Sequence, residues 1–251
     1  MRDTDSDWDE VARTFPYWGV LSVDQFKKKN LSQQDRESFF ASGENYFKGM
    51  MNVVRRHLGA DLKIKRGLDF GCGVGRLAIP MARIANDEVV GVDISDEMLK
   101  ICADNASAMG VANLVLVKGD DNLSKVTGTF DFINSYIVLQ HIPPARGYQI
   151  IQRLLDLLEA GGVGSLQLTY AKSAKFFEHE RAKAGYYRRD GSTLIELKTK
   201  SDERATGAIT MFDYDLNCVF ALIQEISDPY LSVRVTDHDG HLGIHVVFRK
   251  K

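Results

Sequence analysis

The chain lacks the features that mark several common protein classes. Its net charge is close to zero, with 32 Lys and Arg against 34 Asp and Glu for a formal charge of -2. That argues against a protein that holds nucleic acid by bulk attraction to phosphate. Cysteine is scarce: Cys72, Cys102 and Cys218 lie far apart and are odd in number. No pair has metal-ligand spacing, and reduced thiols in the cytosol are expected. No apolar run approaches the roughly 18 residues of a membrane span. The polar, acidic start, Met1 to Asp7, lacks the apolar core of a secretory signal. A soluble, cytoplasmic protein is therefore expected. Internal repeats and low-complexity tracts are also missing. What remains is a 251-residue chain, 44% hydrophobic, with material for one α/β domain and a small appendage.

Residues 1 to 30 read as irregular but aromatic, with Trp8, Phe15, Tyr17, Trp18 and Phe26. Rings at this density predict packing on a main domain or over a pocket, not a free tail. Ser32-Gln33-Gln34-Asp35 reads as a helix start. Phe39, Phe40, Phe47, Met50, Met51, Val54 and Leu58 then follow at helical spacing, with Gly43 expected to split the segment into two helices. From about residue 65 strands and helices alternate. Strands are expected at 67–70, 88–92, 114–118, 130–133 and 163–170. Helices are expected at 76–84, where Pro80 predicts a distortion, after Ser95, and at 149–159, stopped by Gly161-Gly162. This alternation implies a parallel sheet covered on both faces. Residues 171 to 210 break the rhythm with a basic, aromatic insert that includes Phe176, Phe177, Tyr186 and Tyr187. A helix at 214–225 and strands at 231–236 and 242–248 close the chain, the strands joined at Asp239-Gly240.

The stretch that carries chemistry is Leu68-Asp69-Phe70-Gly71-Cys72-Gly73-Val74-Gly75-Arg76. A strand runs into alternating glycines, and a helix follows. Glycines serve where the backbone turns with no room for a Cβ or where a ligand must touch the main chain. Asp93 ends the next strand about 20 residues on, where a carboxylate can take both hydroxyls of a ribose. A dinucleotide loop would want glycine where Arg76 stands, and the acidic Asp69 suits a ligand with a cationic head rather than a pyrophosphate. A nicotinamide-dependent oxidoreductase is therefore the weaker alternative. A cofactor-binding module without catalytic activity is the other.

Here the sequence resembles the class I S-adenosylmethionine-dependent methyltransferases. The glycine run looks like their first motif. Val89 to Ser95 looks like the ribose-binding strand, Gly119-Asp120-Asp121 like the adenine loop, and Phe130 to Ser135 with Val138 to Pro143 like the fourth-strand motif. Leu158 to Gly162 looks like the turn into the fifth strand, though Glu159-Ala160 departs from the common Lys-Pro. The resemblance covers residues 62 to 170 well and 211 to 250 loosely. It implies a Rossmann-like three-layer α/β sandwich, with a mostly parallel seven-stranded sheet and a C-terminal antiparallel hairpin. Residues 1–60 would form a cap and 61–251 the methyltransferase domain, with the insert on the substrate side.

The resemblance also implies a site for S-adenosyl-L-methionine. Gly71 and Gly73 would approach the methionine end, and Asp69 would face its amino group. Asp93 would take the ribose, and Ile94 would pack on the adenine. Asp120 or the backbone of Asp121 would meet the adenine edge, and Asn134 would line the methionine side. Cys72, Arg76, Met98 and Ser135 complete that cofactor set. His141 is the candidate base or loop organiser, with Tyr136 its equal for contact with the acceptor. Tyr17, Trp18 and Gln140 join these two as the acceptor set. His179, His238 and His241 are expected at the surface, and His57 and His245 in structural positions. A small-molecule acceptor is expected, and the basic insert would suit one with an anionic group. No metal site is expected.

Overall fold

The computed structural model describes residues 4–28, 31–59, 61–174, 187–190, 193–196 and 211–251. Five strands, Arg66–Phe70 (β1), Glu88–Asp93 (β2), Leu114–Lys118 (β3), Phe130–Ser135 (β4) and Leu158–Lys172 (β5), run parallel in the order β3-β2-β1-β4-β5. Tyr187–Asp190 (β6) and Thr193–Glu196 (β7) pair antiparallel in a separate two-stranded sheet. Ser227–His238 (β8) and His241–Lys250 (β9) complete the main sheet, with β9 antiparallel between β5 and β8. Asp239 and Gly240 both have positive φ, 54° and 86°, as a two-residue hairpin turn requires.

Successive strand residues point to opposite faces, and both faces are covered. Val89 and Phe132 share a cluster with Phe47, Met50 and Met81. These come from the helices Gln33–His57 (α3) and Ala78–Ile84 (α4). Val90, Val92 and Ile133 turn the other way, onto Ile150, Leu154 and Ile223 of Pro144–Leu157 (α6) and Leu216–Ile226 (α7). The helix Asp96–Ala108 (α5) joins the first side through Met98 and Ala106. This is the three-layer, mostly parallel fold with an antiparallel closing hairpin that the resemblance implied.

Several local expectations are corrected. Residues 4–28 are not irregular: they form Thr4–Thr14 (α1), Pro16–Val20 (α2) and a short 3-10 turn at Asp24–Phe26. Gly43 does not split a helix, since α3 runs 25 residues without a break. A Cβ at Gly43 would stand 2.0 Å from the carbonyl oxygen of Arg76, so the glycine permits close approach of the helix to the loop after β1. Pro80 causes no distortion because α4 starts at Ala78. It lies in the first turn, where its missing N–H has no helical partner to lose. The 149–159 helix begins earlier, with Pro144 in its first turn, and ends at Leu157. Gly161-Gly162 therefore lies in β5, beside a register shift against β4, and stops no helix. Ser32 and Ser95 do cap α3 and α5, accepting from the N–H groups of Asp35 and Met98.

Candidate active site

The turn after β1 is tied to β2 by the N–H groups of Gly71 and Cys72, which donate to the Val92 carbonyl at 2.7 and 2.9 Å. Gly71 and Gly73 have φ of 75° and 52°. A Cβ on Gly71 would lie 2.4 Å from Val138, and one on Gly73 would lie 2.5 Å from Val20 of α2. Both conformation and space therefore demand glycine. Asp93 closes the arrangement. Its two oxygens accept from Gly73 N at 2.8 Å and Ser95 N at 3.0 Å. Each oxygen keeps a further lone pair for a ligand. Burial raises the Asp93 carboxyl above its ordinary value, and the Ser95 and Gly73 amides offset part of that rise.

A cavity opens over this turn at the carboxyl ends of the strands. Gly71, Gly73, Asp93, Ile94, Met98, Asp120, Asp121, Tyr136 and His141 all line it. Asp120 spends its side chain on its own loop, accepting from Asn122 N, Ser124 N and the Ser124 hydroxyl. That last bond lowers its carboxyl below the ordinary range. Asp121 takes a bidentate contact from Arg146 of α6, at 2.7 Å on both oxygens. The same guanidinium grips both oxygens of Asp5 in α1 at 3.1 Å. Thus α1 is fastened over the cavity, which Trp8, Gly19 and Val20 also line. Trp8 packs edge-on against His141, ring centroids 5.0 Å apart. Ile137, a β-branched residue at φ 62°, borders the same space, and its N–H donates to Gln167. Strain of this kind is concentrated at functional sites.

The other candidates are not among the residues that line the cavity. Tyr17 is buried, and its hydroxyl donates to Asn105, whose amide donates to the carbonyl of Val74. It braces the glycine turn from outside the cavity. Trp18 carries Lys27 over its ring at 4.9 Å. Gln140 is buried against His141 and Gln167. Cys72 and Ser135 are buried. Asp69 is buried in β1 and accepts from the Asn134 amide at 2.8 Å. Burial pushes its carboxyl up to about 7, against the pull of Asn134 and Arg76. Arg76 is buried too, with its Nε unpartnered. The Asn134 carbonyl oxygen accepts from Tyr46 of α3 at 2.6 Å and from Ser165 of β5 at 3.0 Å, and Ser165 meets His245 of β9 at 2.9 Å. His238 is not a plain surface residue, since it packs edge-on to Tyr136. The insert residues 175–186 lie outside the described residues, as do 191–192 and 197–210. Phe176, Phe177 and Tyr186 of its expected aromatic set fall there, as does His179, expected at the surface.

Residues 68–162 match a family model described as a methyltransferase domain. Ribosomal protein L11 methyltransferase of Thermotoga petrophila is 40% identical over 73 residues, 29% of this chain and 27% of that protein. Ubiquinone biosynthesis O-methyltransferase of Chromobacterium violaceum is 27% identical over 143 residues, 57% of this chain and 60% of that one. The chain thus spans less than two thirds of either relative. In fold it resembles the magnesium protoporphyrin IX methyltransferase of Synechocystis PCC 6803 with bound SAH, at a TM-score of 0.61 and 14% identity. That match covers 94% of this chain and 98% of the other.

Proposed function

We propose that this chain, a class I S-adenosylmethionine-dependent methyltransferase by motif order and fold, transfers a methyl group from S-adenosylmethionine to a small-molecule acceptor. The observation that carries the reading is the pairing of Asp93 with the glycine turn. A carboxylate is held by two backbone N–H groups at the mouth of a cradle that any Cβ would fill. Asp93 would accept the ribose hydroxyls. Ile94 and Met98, which line the cavity, would give the adenine an apolar wall, and Asp69, buried behind the turn, would lie toward the cationic methionine end. The cofactor's sulfonium supplies an electrophilic methyl group, so the protein's task is alignment of the acceptor and exclusion of water. Trp8, Val20, Tyr136 and His141 border the same cavity and would do this. His141, held by the Trp8 ring, would serve as base or as organiser of the loop after β4.

A small acceptor is favoured because the longer curated match is to an enzyme named for ubiquinone biosynthesis, against a shorter match to one named for a ribosomal protein. The test uses methyl-labelled S-adenosylmethionine, a small-molecule metabolite extract and the full chain. Label should appear in the low-mass fraction and vanish with Asp93→Ala. Label confined to protein, or none despite bound cofactor, would overturn the reading.

A further inference from the structure

Beneath the glycine turn lies a buried chain of polar side chains that the alignment of an acceptor does not use. It begins at Asp69 on β1, passes through Asn134 on β4, and branches to Tyr46 on α3 and to Ser165 on β5. His245 on β9 ends it, with Nε2 2.9 Å from the Ser165 hydroxyl. Side chains of three elements, β1, α3 and β5, thus converge on the one amide of β4. Tyr46 also stacks on His245 and tilts against Tyr136, with centroids 5.9 and 4.8 Å apart.

The donors and acceptors fix a direction. The Asn134 carbonyl oxygen can only accept, so Tyr46 and Ser165 must both donate to it. With its proton committed there, Ser165 receives from His245, whose Nε2 must carry hydrogen. Burial keeps the Tyr46 phenol protonated and pushes His245 down to about 4, so both stay in the states this pattern needs. The Asn134 amide is then turned with its NH2 toward Asp69. In the reverse orientation a carbonyl oxygen would face the carboxyl, which is tolerable only if Asp69 is protonated. Two hydroxyls on the far side therefore select the charge on Asp69.

Other groups face Asp69 as well. Arg76 at the end of the glycine turn and the Ala78 N–H at the start of α4 favour its ionised form, and Asp93 on β2 opposes it. Burial outweighs the groups that favour the charge and carries the carboxyl up to about 7, and the Asn134 amide is the strongest of those that pull it down, so the orientation of that amide bears on the protonation state near neutral pH.

We propose that Tyr46 and Ser165, backed by His245, are positioning residues: by locking the Asn134 amide they hold Asp69 as a carboxylate behind the glycine turn, a buried negative charge that favours the ammonium end of the cofactor. The inference rests on the cofactor reading above and assigns to α3, outside the repeating β/α core, a part in selecting the amino-acid end of the ligand.

The test is calorimetric titration of the full chain with S-adenosylhomocysteine and with 5′-methylthioadenosine, between pH 5.5 and 8. The second ligand has the adenosine but lacks the ammonium group. In the wild type the affinity ratio of the two should rise with pH through about 7. In Tyr46→Phe the rise should move to higher pH. S-adenosylhomocysteine should bind about fivefold more weakly at pH 7 and recover toward pH 8, with methylthioadenosine within about twofold throughout. Ser165→Ala, a smaller change, should shift the profile the same way and serves if the first variant folds poorly. A variant profile that superposes on the wild type, or equal loss of both ligands, would overturn the inference alone. Failure of the wild type to bind either ligand would overturn the cofactor reading and the inference with it.

Discussion

Replacing Asp93 with alanine probes the site most informatively, because the structure lets its two consequences be separated. The carboxylate would make two charge-assisted bonds to ribose hydroxyls, together about 2–4 kcal/mol, a factor of roughly 30 to 1,000 in affinity. The substitution also frees the N–H groups of Gly73 and Ser95, which Asp93 holds at 2.8 and 3.0 Å. Loosening of the turn would weaken any ligand seated on it. A cycle of ligand against protein isolates the ribose part. The ligands are 5′-methylthioadenosine and its 2′,3′-dideoxy counterpart, titrated by calorimetry into wild type and Asp93→Ala. Loss of turn geometry appears in both ligands. Loss of ribose bonds appears only in the hydroxylated one. The expected outcome is a coupling of at least about 2 kcal/mol. Equal loss for both ligands would refute the assignment and leave Asp93 as a loop brace.

Three further outcomes are expected. Gly73→Val should abolish cofactor binding and also lower thermal stability, by about 1–3 kcal/mol, because the position combines φ 52° with a Cβ 2.5 Å from Val20; full binding by a folded variant would make the turn merely structural. Asp69→Asn should stabilise the free protein increasingly as pH rises. The Asp69 carboxyl moves from an ordinary 3.8 to about 7 on folding, so the folded state holds its proton more tightly. The wild type then loses stability between about pH 4 and 7, a loss the amide escapes, up to a ceiling of about 4 kcal/mol. Melting temperatures with no pH-dependent gap would contradict this. Asp5→Ala should speed amide exchange across α1 about fivefold, since it removes one of the two carboxylates gripped by the half-exposed Arg146; unchanged exchange would show that apolar packing alone holds α1 down.

The β/α core was legible because its signals are local. Glycines bracket Cys72, Ser95 caps α5, and strand runs such as Val89 to Val92 are buried on both faces. The fate of Gly43 was not legible, since its meaning lies in the Arg76 carbonyl 33 residues away. Pro80 misled because a helix-breaking residue is harmless in a first turn, and the first turn is set by the loop before it. The site divided the same way. Gly71, Gly73, Asp93, Ile94 and Met98, which the resemblance grouped, line one cavity. Val20 and Arg146 were missed because they reach the cavity through tertiary packing, with no pattern of their own, and Trp8, named among the rings expected over a main domain or pocket, stands outside the expected acceptor set. Aromatic density could not choose among these rings, whereas helical phase in α1 and α2 puts Trp8 and Val20 at the wall and leaves Tyr17 and Trp18 away from it. The network of Tyr46, Ser165 and His245 spans 199 positions from Tyr46 to His245, beyond any short motif.

The central claim, that the glycine turn and Asp93 form a seat for S-adenosylmethionine, is tested most directly by titrating the full chain with S-adenosylhomocysteine and, separately, with NAD. The account predicts saturable one-to-one binding of S-adenosylhomocysteine and at least about a hundredfold weaker binding of NAD, whose pyrophosphate finds Asp69 where it needs a neutral or positive cradle. Tighter binding of NAD, or no binding of S-adenosylhomocysteine, would contradict it.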